Sequence, residues 1–173
     1  VFGGGALVTL VTLIVMPDFP IVFGVLTFLG SAMLALIPFE KAFKKVRPEI
    51  GAAISLLLFL LFKNCNSGFL GFGTINLIKL PEFLYANYLT AFLGFPSNTF
   101  YSTDYFSFFP WFFLFLCGYF FCLLFKKQNL LRHLITKPVF LLSFIGRHSL
   151  IIYLAHQPIL YLIFYFFYLL FIY

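Results

Sequence analysis

Between Phe108 and Phe125, and again from Ser149 to Tyr173, the chain carries no lysine, arginine, aspartate or glutamate. Runs of that size approach or exceed the roughly 20 residues a helix needs to cross the hydrocarbon of a bilayer. Neither run alternates apolar with polar residues, which disfavours the strands of a membrane β-barrel and favours helices. Composition extends the constraint to the whole chain. Of 173 residues, 63% are hydrophobic and 9% are charged, 29 are phenylalanine, and mean hydropathy is +1.07. A soluble domain of this size cannot hide so much apolar surface. The expected fold class is all-α: a polytopic transmembrane helix bundle with about five spans, forming a single transmembrane domain over residues 1–173.

The spans are expected at Gly3 to Met16, Ile21 to Pro38, Ile50 to Phe62, Phe108 to Phe125 and His148 to Ile172. Pro17-Asp18-Phe19-Pro20 ends the first, because proline lacks an amide proton and restricts the residue before it. Val1 opens inside an apolar segment, without a basic stretch or a cleavage-site pattern. The sequence therefore reads as a fragment lacking its N-terminal helices. Three cysteines, Cys65, Cys117 and Cys122, form no even set and no metal-ligand spacing, so neither a disulfide nor a metal site is expected.

The net charge is +6. A nucleic-acid partner is not expected, because most basic residues cluster in two short stretches between apolar runs. One holds Lys41, Lys44, Lys45 and Arg47; the other holds Lys126, Lys127, Arg132, Lys137 and Arg147. Placing both in the cytoplasm satisfies the positive-inside rule and leaves residues 64–107 facing outward. In that stretch Asn64 to Thr74 reads as turns, and Glu82 to Leu93 as a short helix lying on the outer leaflet. Tyr85, Tyr88, Tyr101, Tyr105 and Trp111 suit an interfacial aromatic belt.

Polar groups within a bilayer are costly, and each is a candidate site. Gly146-Arg147-His148-Ser149 is followed by Tyr153, His156, Gln157 and Pro158. On a helix Ser149, Tyr153 and His156 share one face. At about 1.5 Å per residue, His156 sits about 12 Å beyond His148, well into the membrane. Pro158 removes a backbone donor and frees the carbonyl of Leu154. The stripe has two readings: a reactive site lining the bundle, or polar side chains gluing helices together. Arg147 and His148 also suit a snorkelling anchor. Asp104 likewise reads either as a carboxylate favoured by a helix start or as an acceptor for a sugar hydroxyl or amine. Ser102 or Thr103 is the expected cap of that helix.

Three segments carry a resemblance. Phe23-Gly-Val-Leu-Thr-Phe-Leu-Gly30, Asp104-Tyr-Phe-Ser-Phe-Phe-Pro-Trp111 and Gly146-Arg-His-Ser-Leu-Ile-Ile-Tyr-Leu-Ala-His-Gln-Pro158 resemble signature segments of bacterial heparan-alpha-glucosaminide N-acetyltransferase-like membrane proteins. The family's usual histidine in the first segment is Thr27 here. The resemblance implies transfer of an acetyl group from cytoplasmic acetyl-CoA to a sugar or glycan acceptor, in a bacterial cytoplasmic membrane. For such a transfer the polar residues themselves offer His156, Gln157 and Asp104 as the catalytic candidates. Substrate-binding roles fall to Arg147, His148, Ser149, Tyr153, Tyr105 and Trp111. Expected partners are the lipid bilayer and a carbohydrate, with a homo-oligomer as an open option. The residues alone leave two other readings, a small-molecule transporter or flippase and a non-catalytic membrane partner.

Overall fold

The computed structural model describes residues 1–73, 75–128 and 140–172, apart from the side chains of Leu141, Leu142, Gln157 and Ile172. Arg132 and Lys137 of the second basic stretch, and Thr74 at the end of the expected turns, lie outside the described residues. The chain divides into two units, Val1–Arg132 and His133–Tyr173.

In the first unit, α1 spans Phe2–Val15, α2 Val25–Phe43, α3 Pro48–Phe62, α4 Tyr88–Leu93 and α5 Phe108–Lys127. In the second, α6 spans Phe140–Arg147 and α7 Ser149–Ile172. Four stretches among the described residues are long and apolar enough to cross a membrane: Val25–Phe43, Pro48–Ser67, Phe108–Lys127 and Ser149–Phe171. The chain is an integral membrane protein built as an all-α bundle. The first expected span, α1, has 14 residues. That is about 21 Å of helix against roughly 30 Å of hydrocarbon, so it falls short by itself.

Both ends of α2 differ from expectation by four or five residues. Helix α2 was expected to run from Ile21 to Pro38; it begins at Val25 and continues through Pro38 to Phe43. Its start is delayed because Phe23 adopts a left-handed backbone conformation, with φ of 57°. Its end is extended by a turn in which Glu40 and Lys44 pair at 2.7 Å, one helical turn apart. The loss of one amide donor at Pro38 does not stop a helix whose next turn reaches polar surroundings.

Small residues set the helix crossings, as expected where lipid removes any hydrophobic drive for helices to associate. A Cβ on Gly5 would lie 2.5 Å from Thr27 Oγ1, and one on Gly30 would lie 2.6 Å from Phe2. Thr27 therefore stands at the α1–α2 crossing. Phe28, about 200° round the helix from Gly30, faces the other way and meets Phe106 and Phe108. Between α3 and α5, a Cβ on Gly51 would lie 2.5 Å from the Phe120 ring, and the Cys117 thiol approaches Ala52 O at 3.6 Å. Ala52, Cys117 and Phe120 form a buried cluster there. Cys65, Cys117 and Cys122 are all free thiols.

Residues 64–74 are more than turns. After a 3-10 turn at Cys65–Ser67, β1 (Phe69–Phe72) pairs antiparallel with β2 (Ile75–Lys79), with an irregularity between Leu70 and Gly71. Gly73, in the connection, is left-handed with φ of 60°, and its carbonyl accepts from Asn64 Nδ2 at 2.7 Å. The expected helix over Glu82 to Leu93 is divided into a 3-10 turn at Glu82–Tyr85 and α4. Asn87 breaks it by forming a capping box with Thr90.

Candidate functional site

Two of the three signature segments meet in the first unit. Residues 20–24, just ahead of α2, are clamped to residues 102–106. The Thr103 amide donates to Pro20 O at 3.0 Å and the Phe106 amide to Phe23 O at 2.9 Å. Between them the Val22 amide donates to Ser102 Oγ at 2.9 Å, and that hydroxyl donates to Val22 O at 2.8 Å. One serine thus satisfies both backbone groups of a residue that no helix or strand serves. The aromatic rings close the joint: Phe23 lies edge-on to Phe92 at 5.4 Å and stacks on Phe100 at 6.1 Å. A left-handed conformation costs a phenylalanine about 1–2 kcal/mol, and these long-range contacts hold it there.

Asp104 is half-buried within this joint. A Cβ on Gly24 would stand 3.4 Å from both its Oδ2 and its carbonyl oxygen. Gly24 is the residue capping the N-terminus of α2 and offers no side chain of its own. The carboxylate therefore lies at the positive end of α2, four residues ahead of α5, whose start it was expected to occupy. The expected caps also differ. Ser102 serves Val22, and the residue preceding α5 is Ser107, which is buried. Phe109 has non-helical backbone angles and α5 kinks there.

Tyr105 and Trp111 face inward. The Tyr105 hydroxyl donates to Ala91 O, its ring packs edge-on against Phe100 at 5.1 Å, and burial pushes its phenol pKa upward. Trp111 stacks on Phe106 at 4.5 Å and tilts against Phe59 at 5.7 Å. One indole face is already covered by the protein.

The third signature segment belongs to the second unit. The helical path runs nearly unbroken through His148, whose amide donates to Phe144 O at 3.2 Å and whose carbonyl accepts from Ile152 N at 2.9 Å. Arg147 ends α6, Ser149 begins α7, and both are exposed. Helix α7 continues through Pro158, so Ser149, Tyr153 and His156 do share a face. His156 is exposed; its Nδ1 contacts Tyr153 O, and the two rings lie 5.2 Å apart. His148 repeats the device, with Nδ1 2.9 Å from Phe144 O. A carbonyl oxygen only accepts, so in each neutral ring Nδ1 carries the proton and Nε2 keeps its lone pair. The expected role of Gln157 rests on a side chain outside the described residues.

At the opposite end of the first unit from Asp104, the charges gather. Lys127 at the end of α5 reaches Glu49 at the start of α3, at 3.4 Å. Lys41, Lys44, Lys45, Arg47 and Lys126 occupy the same end, where α2 finishes, α3 begins and α5 finishes. A hydrogen bond from Lys44 to Glu40 holds the Lys44 ammonium pKa above its ordinary value. Both pairs are largely exposed and contribute little to stability.

Residues 1–158 match the family described as heparan-alpha-glucosaminide N-acetyltransferase, catalytic, a match that takes in all three signature segments. The chain belongs to this family. Membership gives this heparan-alpha-glucosaminide N-acetyltransferase relative a membrane acetyltransferase-type function. Neither curated proteins nor solved structures provide a match to it. What sequence reasoning missed in this family member is the clamp of residues 20–24 on residues 102–106. The Pro17–Pro20 break and the Phe23-Gly24 pair marked an irregular stretch, but no local signal named its partner eighty residues away.

Proposed function

We propose that the chain moves an acetyl group from acetyl-CoA, bound from the basic side, to a sugar amine or hydroxyl on the opposite side of a bacterial cytoplasmic membrane. The observation that carries this reading is the tie from His156 Nδ1 to Tyr153 O, which leaves Nε2 as a base on a membrane helix. Imidazole is suited to that work near neutral pH. Acetyl-CoA supplies the activated acetyl thioester. His156 Nε2 takes the proton of the acceptor nitrogen or oxygen as that atom forms its bond to the acetyl carbon. The same nitrogen returns the proton to the departing sulfur when the carbon–sulfur bond breaks, so His156 ends as it began.

Asp104, at the positive end of α2, accepts a hydrogen bond from the sugar and fixes its orientation. On α7, Ser149, Tyr153 and His148 serve substrate binding and Gln157 assists His156; in the first unit, Tyr105 and Trp111 serve the sugar beside Asp104. Lys126 and Lys127 meet the phosphates of CoA, and the gathering of cations at that end of the first unit fits a polyanionic group. In this orientation the basic loops are cytoplasmic, and residues 64–107 face outward. A homo-oligomer would cover part of the exposed apolar helix surface.

Labelled acetyl-CoA and a panel of amino sugars, supplied to the protein in lipid nanodiscs, test the reading. Transfer that is lost in both His156→Ala and Asp104→Asn supports it. Full transfer by His156→Ala removes the histidine from the mechanism.

A further inference from the structure

The segment between α3 and α5 also forms a concave feature, lined by none of the residues 102–106. It is an open crevice of about 470 Å³. That volume falls in the range of small-ligand pockets, roughly 300–1,000 Å³. Its walls come from the first 3-10 turn, the outer ends of the hairpin, the second 3-10 turn and the loop after α4. Asn66, Ser67, Lys79, Glu82, Tyr85 and Asn98 are the side chains that give it chemical character.

Those side chains select a ligand class. The two amides and the serine hydroxyl each present donor and acceptor groups. Lys79 and Glu82 stand 3.5 Å apart on the rim, so the local charge is balanced. A balanced rim with neutral amides inside does not favour a polyanion, and the polar lining does not favour a lipid chain. Tyr85 is fixed at its tip and along its ring: its hydroxyl donates to Cys65 O at 2.5 Å, and the ring meets Phe95 edge-on at 5.6 Å. Burial raises its phenol pKa, which keeps it neutral. A rigid aromatic ring beside amides and a hydroxyl matches a neutral, hydroxyl-rich ring such as a pyranose. The crevice is also joined to the rest of the outer end. Cys65, adjacent to Asn66, lies 3.6 Å from both Gly94 O and Phe109 O, at the entrance to α5.

We infer that this crevice is an accessory pyranose subsite, which holds a neutral sugar unit of the acceptor other than the one that receives the acetyl group. It thereby favours oligosaccharide over monosaccharide acceptors. The inference rests on the reading of the chain as a transferase to a sugar, and its test keeps the two separable.

Full-length protein in nanodiscs, wild type and the double variant Asn66→Ala/Asn98→Ala, is titrated calorimetrically with glucosamine and with a trisaccharide of one terminal glucosamine 1,4-linked to two neutral glucose units, without acetyl-CoA. Both asparagines are exposed, so the double variant is expected to fold. Wild type should bind the trisaccharide at least tenfold more tightly than glucosamine, and the double variant should lose that advantage. Equal binding of the two sugars by wild type overturns the inference, as does an undiminished preference in the double variant. Acetyl transfer is then measured with both sugars, and the trisaccharide-to-glucosamine ratio of kcat/KM should fall at least tenfold in the double variant. If no transfer occurs with either sugar, the transferase reading fails, and the binding titration still decides the crevice.

Discussion

Asp104 is held by hydrogen bonds between its neighbours and a stretch eighty residues earlier, whereas His156 is tied to a carbonyl three residues back on its own helix. The first arrangement needs α2, α5 and the intervening loops all in place. The second needs only that residues around Tyr153 be helical. A proposed catalytic base on a locally specified helix can change with little cost to stability, while the region around the proposed acceptor-orienting carboxylate is inseparable from the packing of the first unit. This contrast generates the following expectations.

The largest effect belongs to His156. Replacing it with alanine should lower kcat for acetyl transfer by roughly 100-fold or more, in line with general acid–base contributions. Because the side chain is exposed and, among the described residues, its hydrogen bond is to its own helix, the thermal unfolding midpoint in detergent should stay unchanged. A large fall in that midpoint would break the contrast.

Next comes Gly51→Leu, which drives a side chain into Phe120 at the α3–α5 crossing. Overpacking of this kind costs about 1–3 kcal/mol. Hydrogen exchange followed by mass spectrometry should show faster exchange in α3 and α5, with residues 149–172 unaffected.

Ser102→Ala sharpens the contrast further. It removes both bonds to Val22, which is half-buried, so the cost should be about 1 kcal/mol. Exchange should rise at residues 20–24, and the KM for the sugar acceptor should rise more than kcat falls. Equal exchange in variant and wild type would mean that the joint is held without the serine.

The smallest effect is alkaline. Burial raises the Tyr105 phenol pKa in the folded state above the ordinary value of about 10. Its contribution is fully present below that ordinary value and is lost as pH rises through the folded value. Thermal unfolding midpoints should therefore decline above about pH 10, and less steeply in Tyr105→Phe. Slopes that are the same in both proteins would show that the Tyr105 environment does not survive in solution.

Much of the architecture was legible because crossing a bilayer is a property summed over a window of neighbouring residues. The uncharged run from Phe108 to Phe125 became the body of α5, the run from Ser149 became α7, and the Pro17–Pro20 break ended α1. The shared face of Ser149, Tyr153 and His156 was legible too, since helical periodicity alone produces it. The hairpin at residues 69–79 was hidden by glycine and asparagine, which signal turns whether or not strands flank them. The end of α2 was misplaced at Pro38 because a single proline only weakens a helix that the next turn goes on to support.

By itself, then, the order of residues determined that this chain lives in a bilayer, where its long helices fall, and which polar groups ride on the last of them. Tertiary structure alone decided that Asp104 lies at the start of α2, that Ser102 closes the joint with Val22, and that Phe23 takes a left-handed conformation. Each of these depends on a partner distant in the chain. A backbone group left without a helix or strand bonds whichever donor or acceptor the packed fold brings to it, and nothing in the neighbouring residues names that partner.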